Sequence, residues 1–198
     1  MKIVEITQSP DDTVIDYINL HCGKYLDEIG GLRSALTIHP LWRGILDYSF
    51  MFRNQEWARI MPVRQDRRPS SNKPEVQEII DDWFQSKTGI RFRQSSAFCT
   101  GYHDDARTYQ SDGGSTVIVL PVGDYSYCWS RDIGDLFIAL QQNHCRQRLP
   151  IPELLDQSHY KFNTDLIAGI QSGHEIMLHC QSILVVNPDW PLLYKGLQ

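Results

Sequence analysis

The chain has no apolar run that approaches the roughly 20 residues needed to cross a bilayer. Its first stretch, MKIVEITQSPDD, has no apolar segment of leader length, so a soluble, cytoplasmic protein is expected. Positive charge is not in excess. Nineteen Lys and Arg against 24 Asp and Glu give a net charge of −5, which argues against generic binding of a nucleic-acid backbone. Cysteine is present but unorganised: five residues, an odd number, with no CxxC pair. That excludes a disulfide framework and a four-thiolate zinc site, and points to a reducing compartment. Three of the cysteines directly follow a histidine (His21-Cys22, His144-Cys145, His179-Cys180), but sequence neighbours point different ways on a helix or strand, so no metal site is expected. Internal repeats and a regular strand-helix-strand rhythm are also missing.

What is present is enough for a real core. With 198 residues, 41% of them hydrophobic, the chain is expected to form a single domain spanning 1–198, with an N-terminal helical region over 1–35 and a core over 36–190. Ser9, Pro10 and Asp12 mark a helix start. Val14, Ile18, Cys22, Tyr25, Leu26 and Ile29 then recur at helical spacing up to Gly30-Gly31. LTIHPLWRGI reads as a short strand, Tyr48 to Ser71 as an irregular stretch, and Pro74 to Gly89 as a second helix striped by Val76, Ile79, Ile80 and Trp83. IRFRQSSAFCTGY alternates partially, HDDARTYQSDGG reads as a short helix and loop, and STVIVLPVGDY as a β-branched strand cut by Pro121. A helix from Asp132 to Asn143, two short helices between Pro152 and Ile170, and a last strand complete an α+β pattern.

The last strand carries a deceptive motif. His174, Glu175 and His179 resemble a zinc-protease helix, but the two histidines are five residues apart rather than four, in a segment rich in Ile, Leu and Val. As a strand, Glu175, Met177 and His179 share one face and His174, Ile176, Leu178 and Cys180 the other. Five arginines, Arg64, Arg67, Arg68, Arg91 and Arg93, are concentrated in the middle third, as a local anion site or a solvated face.

Three islands stand in order: LWRG, SSAFCTGYHDDARTY and GHEIML. Together they resemble the ADP-ribosyltransferase superfamily, in its arginine, serine-threonine, glutamate clade, over about residues 41–187. Arg43-Gly44 is similar to the early Arg-Gly strand, and Phe98, Thr100, Ala106 and Tyr109 follow the pattern of the Ser/Thr strand and its helix. Glu175 matches the acid that opens a late strand. The block VIVLPVGDYSYCWSRDIGDL is also similar to small phage-encoded members, which would put the protein in a host cytoplasm.

The resemblance implies a split, two-sheet core with the N-terminal helix as an addition. The implied activity is transfer of ADP-ribose from NAD to a protein or nucleic-acid acceptor, or hydrolysis of NAD. Breaking the nicotinamide-ribose bond develops positive charge on the sugar, and a fixed carboxylate, Glu175, would stabilise it. Arg43, aided by Arg67, Arg68 or Arg93, would take the phosphates. Gly44 would offer backbone groups to the nicotinamide amide. Tyr109, Phe98 or Tyr102 would stack on its ring, and Ser96 or Thr100 would orient Glu175 or the ribose. Members that modify arginine carry Glu or Gln two residues before the catalytic acid. Gly173 stands there instead, with Gln171 four before, which argues against an arginine acceptor. The competing expectation is a catalytically degenerate phage protein that keeps the fold and only binds. Hydrolysis by Cys99, Cys128 or Cys180 with a histidine has no supporting motif.

Overall fold

The computed structural model describes residues 11–45, 57–68, 73–110, 114–146 and 149–195. Two long strands organise it: β4 (Ser115–Ser130) and β6 (Ile176–Val186) pair antiparallel along most of their length. Four short strands flank them. β1 (Trp42–Ile45) pairs with the first part of β4 and β2 (Ala58–Pro62) with the last part of β6. At the opposite end, β3 (Ala97–Cys99) pairs with the start of β6 and β5 (Tyr160–Phe162) with the end of β4. All six strands therefore belong to one antiparallel sheet rather than two separate ones, because β4 and β6 run through both halves. The flanking pairs change where the register shifts between Val122 and Tyr125, at Gly123 in the left-handed region.

Pro121 does not cut this strand. Val119 donates its N–H to Leu41 O on the β1 side, so by alternation residue 121 faces the same edge, beyond the last residue of β4 that β1 pairs. The missing N–H of proline costs no ladder bond there.

Both faces of β4 and β6 are covered. On one lie α1 (Asp11–His21), α2 (Gly23–Ile29) and α8 (Leu166–Ser172), whose Val14, Ile18, Tyr25, Leu26, Leu166 and Ile170 share a core with Tyr127, Trp129, Ile176 and Leu178. On the other lie α3 (Pro74–Thr88), α4 (Phe92–Ser95), α6 (Leu136–Arg146) and α7 (Ile151–Gln157), with Ile80, Phe84, Phe92, Leu136 and Leu155 against Cys128 and Met177. Alternation along the two long strands thus feeds two apolar layers, as a sheet buried on both faces requires.

Several elements depart from expectation. The first helix is two, interrupted at Cys22 and closed by Gly30 in the left-handed conformation. Leu36 to Ile38, expected as strand, lie in a π-helical turn, Ser34–Ile38, where the Ser34 hydroxyl donates to Ile29 O. IRFRQSS begins as helix α4 rather than strand, because buried Asp81 accepts the N–H groups of Arg93 and Gln94 at 2.8 and 3.2 Å and so caps it. The helix expected from Asp132 starts at Leu136, and β5 had no counterpart in the sequence reading. Tyr48 to Glu56, within the expected irregular stretch, lie outside the described residues; Ala58 to Pro62, in the same stretch, are strand. The helix at Pro74 ends at Gly89 in the left-handed conformation, as its sequence predicts.

Candidate functional site

The three islands meet where β1 is bridged to the end of β3, beside the start of β6. Trp42 and Thr100 exchange two backbone hydrogen bonds, of 2.7 and 2.9 Å, joining β1 to the end of β3. Cys99 pairs with Ile176, so Thr100 comes opposite Glu175. Arg43 lies next to this bridge and donates from Nη1 to Phe98 O at 2.8 Å. Arg43, Thr100 and Glu175 therefore sit on three neighbouring segments of backbone, β1, β3 and the entry to β6.

Local geometry fixes that entry. α8 ends at Gly173, whose φ of 72° suits glycine, and a Cβ there would lie 2.4 Å from the Tyr102 ring. Thr100 Oγ1 donates to Gly173 O at 2.6 Å and accepts from Tyr102 N at 3.2 Å. Tyr102 OH reaches Gln171 O at 2.9 Å, and Glu175 N donates to Gly134 O at 2.7 Å. The turn before Glu175 is thus held from β3, from the segment after it, and from the loop before α6.

The Glu175 side chain is only 14% exposed and is paired. Arg93 Nη1 lies 2.9 and 3.1 Å from its two oxygens, and the Arg93 side chain is 11% exposed. Burial pushes the Glu175 carboxyl above its ordinary value, with Asp135 nearby adding to the rise, and Arg93 and Arg67 only partly oppose it. The guanidinium carbons of Arg67 and Arg93 lie 4.3 and 4.6 Å from the centroid of the Phe98 ring. Burial, then repulsion from Arg43 and Arg93, pulls Arg67 down to about 10. Three guanidinium groups therefore crowd round Phe98, with one carboxylate among them.

The remaining expected site residues are placed as follows. A Cβ on Gly44 would fall 2.4 Å from Ala106 O, so this glycine admits the chain's own α5 (His103–Arg107) and the Tyr109 backbone onto β1. Its backbone groups face the β3 edge, by alternation with Trp42. Tyr109 and Tyr102 are half exposed, and Tyr109 OH donates to Asp135, which also accepts Ile138 N at the start of α6. Ser96 is buried with its hydroxyl unpartnered, as is Arg93 Nε. Arg68 and Arg91 line an open groove of about 360 Å³ with Asp66, Glu78 and Asp81, into which Arg67 also reaches. Arg91 pairs with Asp82 at 2.8 Å.

The histidines are engaged elsewhere: His174 Nδ1 with Ser130 O at 2.8 Å, His179 Nδ1 with Ser95 O at 3.0 Å. Among the described residues, no group of three His, Cys, Asp or Glu is placed to hold a metal ion, and no helix is long and apolar enough to cross a membrane.

Two features of this arrangement escaped the sequence reading. Arg93 stood among possible phosphate ligands but not as the partner of Glu175, and Asp135 was not singled out. The signal for Arg93 was the pair of arginines in IRFR. On a strand they share a face; here Arg91 precedes α4 and pairs with Asp82, while Arg93, within α4, pairs with Glu175. Compared with family models, curated proteins and solved structures, the chain matches none.

Proposed function

We propose that the protein transfers ADP-ribose from NAD to a macromolecular acceptor, or hydrolyses NAD, on an ADP-ribosyltransferase-like core. The observation that carries this reading is the convergence of Arg43, Thr100 and Glu175, remote in sequence, on three adjoining backbone segments. In such a reaction the bond from ribose C1′ to nicotinamide breaks, nicotinamide leaves with the electron pair, and the acceptor's nucleophile bonds to C1′ and gives up its proton. Glu175 would supply negative charge where the sugar becomes positive, in a water-poor site where that charge counts most. Arg43 and Arg67 would hold the diphosphate, and Tyr109 and Tyr102 offer half-exposed rings for stacking. The cationic crowd round Phe98 fits a dinucleotide's phosphates.

The test is incubation of purified protein with NAD labelled in its adenylate half, with and without cell lysate. Label on protein or nucleic acid is expected for a transferase, free ADP-ribose for a hydrolase, and either product should fall about a hundredfold or more in Glu175→Gln. NAD left intact under all conditions would overturn the reading. A second reading, a binding protein that keeps the fold without chemistry, is favoured by the Arg93–Glu175 ion pair, which occupies the carboxylate that catalysis would use. Under it, NAD would bind and remain uncleaved.

A further inference from the structure

We infer that Glu175 is an internal competitor for the phosphate or diphosphate that the proposed function assigns to Arg43 and Arg67: in the absence of ligand its carboxylate holds Arg93 in the same cationic cluster, in the place an oxyanion would take. The proposal rests on the ADP-ribosyl reading for its natural ligand, but the site itself needs only a compact anion.

The first argument is charge. Three guanidinium groups gather at Phe98: Arg43 through Phe98 O at 2.8 Å, Arg67 and Arg93 over the ring at 4.3 and 4.6 Å. Guanidinium stays protonated at neutral pH, so the cluster carries three positive charges. Glu175 supplies one negative charge, and Asp135, the other acid whose field it feels, is engaged with Tyr109 and with Ile138 N. Asp66, Glu78 and Asp81 line the groove that Arg67 also reaches, but it is Glu175 that is paired inside the cluster. Like charges this close in a half-buried space are unfavourable, and Arg67 is lowered first by burial and then by Arg43 and Arg93. A phosphate or diphosphate would relieve that repulsion.

The second argument is unfilled hydrogen bonding. Arg93 Nε and Ser96 Oγ are both buried without a partner beside this cluster, although buried donors are nearly always satisfied. Glu175 engages Arg93 through Nη1, with both oxygens on that one nitrogen. The paired side-by-side geometry that guanidinium offers an oxyanion is therefore not used. A tetrahedral oxyanion has the oxygens to use it.

The third argument is construction. Arg93 is aimed by α4, whose first turn is capped by buried Asp81, itself steadied by Gln77 at 2.7 Å. Arg67 is partly exposed and opens onto the adjoining groove, which gives an anion a way in. When the anion takes Arg93, Glu175 is released. In the ADP-ribosyl reading, phosphate binding would then free the carboxylate for the ribose, so that charge appears only when substrate is seated.

The experiment is calorimetric titration of the full-length protein with inorganic pyrophosphate at low ionic strength. Glu175→Gln removes the internal competitor, and pyrophosphate should bind about tenfold more tightly than to wild type. Arg67→Gln should bind about tenfold more weakly, and because Arg67 is partly exposed this variant keeps the measurement available even if a change at buried Arg93 prevents folding. Glu153→Gln, an exposed acid on α7, alters net charge equally and should leave the affinity at the wild-type value. The inference is overturned if Glu175→Gln binds no more tightly than wild type, if Glu153→Gln gives the same gain, or if Arg67→Gln has no effect. The two readings fail separately. Tighter pyrophosphate binding in Glu175→Gln with no NAD cleavage by wild type would keep the anion site and remove the transferase, whereas NAD cleavage without that gain would do the reverse.

Discussion

At the scale of single residues, Glu175 links stability to pH in a direction set by burial. Its carboxyl lies above the ordinary value, so the folded chain holds that proton more tightly than the unfolded chain. The resulting stability is fully present below the unfolded value and is lost as pH rises through the folded one. Wild type should therefore lose stability, read by urea unfolding, as pH climbs from about 4.5, the ordinary value of a glutamate carboxyl, upward, and Glu175→Gln should remove that part of the slope. Asp81, also raised by burial against hydrogen bonds from Gln77, Gln94 and Arg93, adds a slope of the same sign, so the informative quantity is the difference between wild type and variant. Identical pH profiles for the two would refute the assignment. Thr100 permits a second test, since its buried hydroxyl serves Gly173 O and Tyr102 N at once. Thr100→Val should cost about 1–3 kcal/mol by leaving those groups unserved, and Thr100→Ser should restore most of it. Equal stability of the valine and serine variants would show that the turn before Glu175 is held by other contacts.

At the scale of elements, glycines mark where backbone meets backbone. A Cβ on Gly101 would lie 1.7 Å from Ile170 O and 2.5 Å from Ile170 C, within α8, so no side-chain rotation can make room. Gly101→Ala should destabilise by about 3 kcal/mol or more and displace α8 from the end of β3, which melting and loss of activity together would register. A variant as stable as wild type would mean that the segment after β3 is not packed on α8 as described. The same scale shows what sequence could and could not disclose. Pro74 and Gly89 bound α3 by purely local chemistry, and the β-branched run after Ser115 is a strand by local preference. The closeness of Arg43, Thr100 and Glu175 was expected from the order of their three segments, with Thr100 as the alternative to Ser96. The start of α4 was not, because its cap is Asp81, twelve residues before Arg93. That one tertiary contact turns a reading of alternating strand into helix, and with it the direction of Arg93. β5 was equally hidden, because its three residues are a strand only beside Cys128 to Ser130. The π-helical turn at Ser34 depends on a side-chain bond back to Ile29 rather than on any preference of Leu36, Thr37 and Ile38.

At the scale of the whole molecule, β4 and β6 are the common wall of two apolar layers. Leu178 faces the layer built with α1, α2 and α8, while its neighbour Met177 faces the layer built with α3, α4, α6 and α7; both are fully buried. Neither layer can lose its wall without exposing the other, so the two should unfold together. The site depends on this coupling, since Glu175 enters β6 from α8 on one layer and is gripped by Arg93 from the other. Leu178→Ala and Met177→Ala should each cost about 2–5 kcal/mol and each shift a single transition, seen at one midpoint by far-ultraviolet circular dichroism and by tryptophan fluorescence. Tryptophan fluorescence samples both layers, since Trp129 and Trp190 belong to the first and Trp83 packs on the second. Separate midpoints, with Met177→Ala moving only one of them, would mean that the α3 to α7 layer opens on its own. Arg93 would then be able to leave Glu175 without global unfolding, and pyrophosphate would be expected to stabilise that layer selectively.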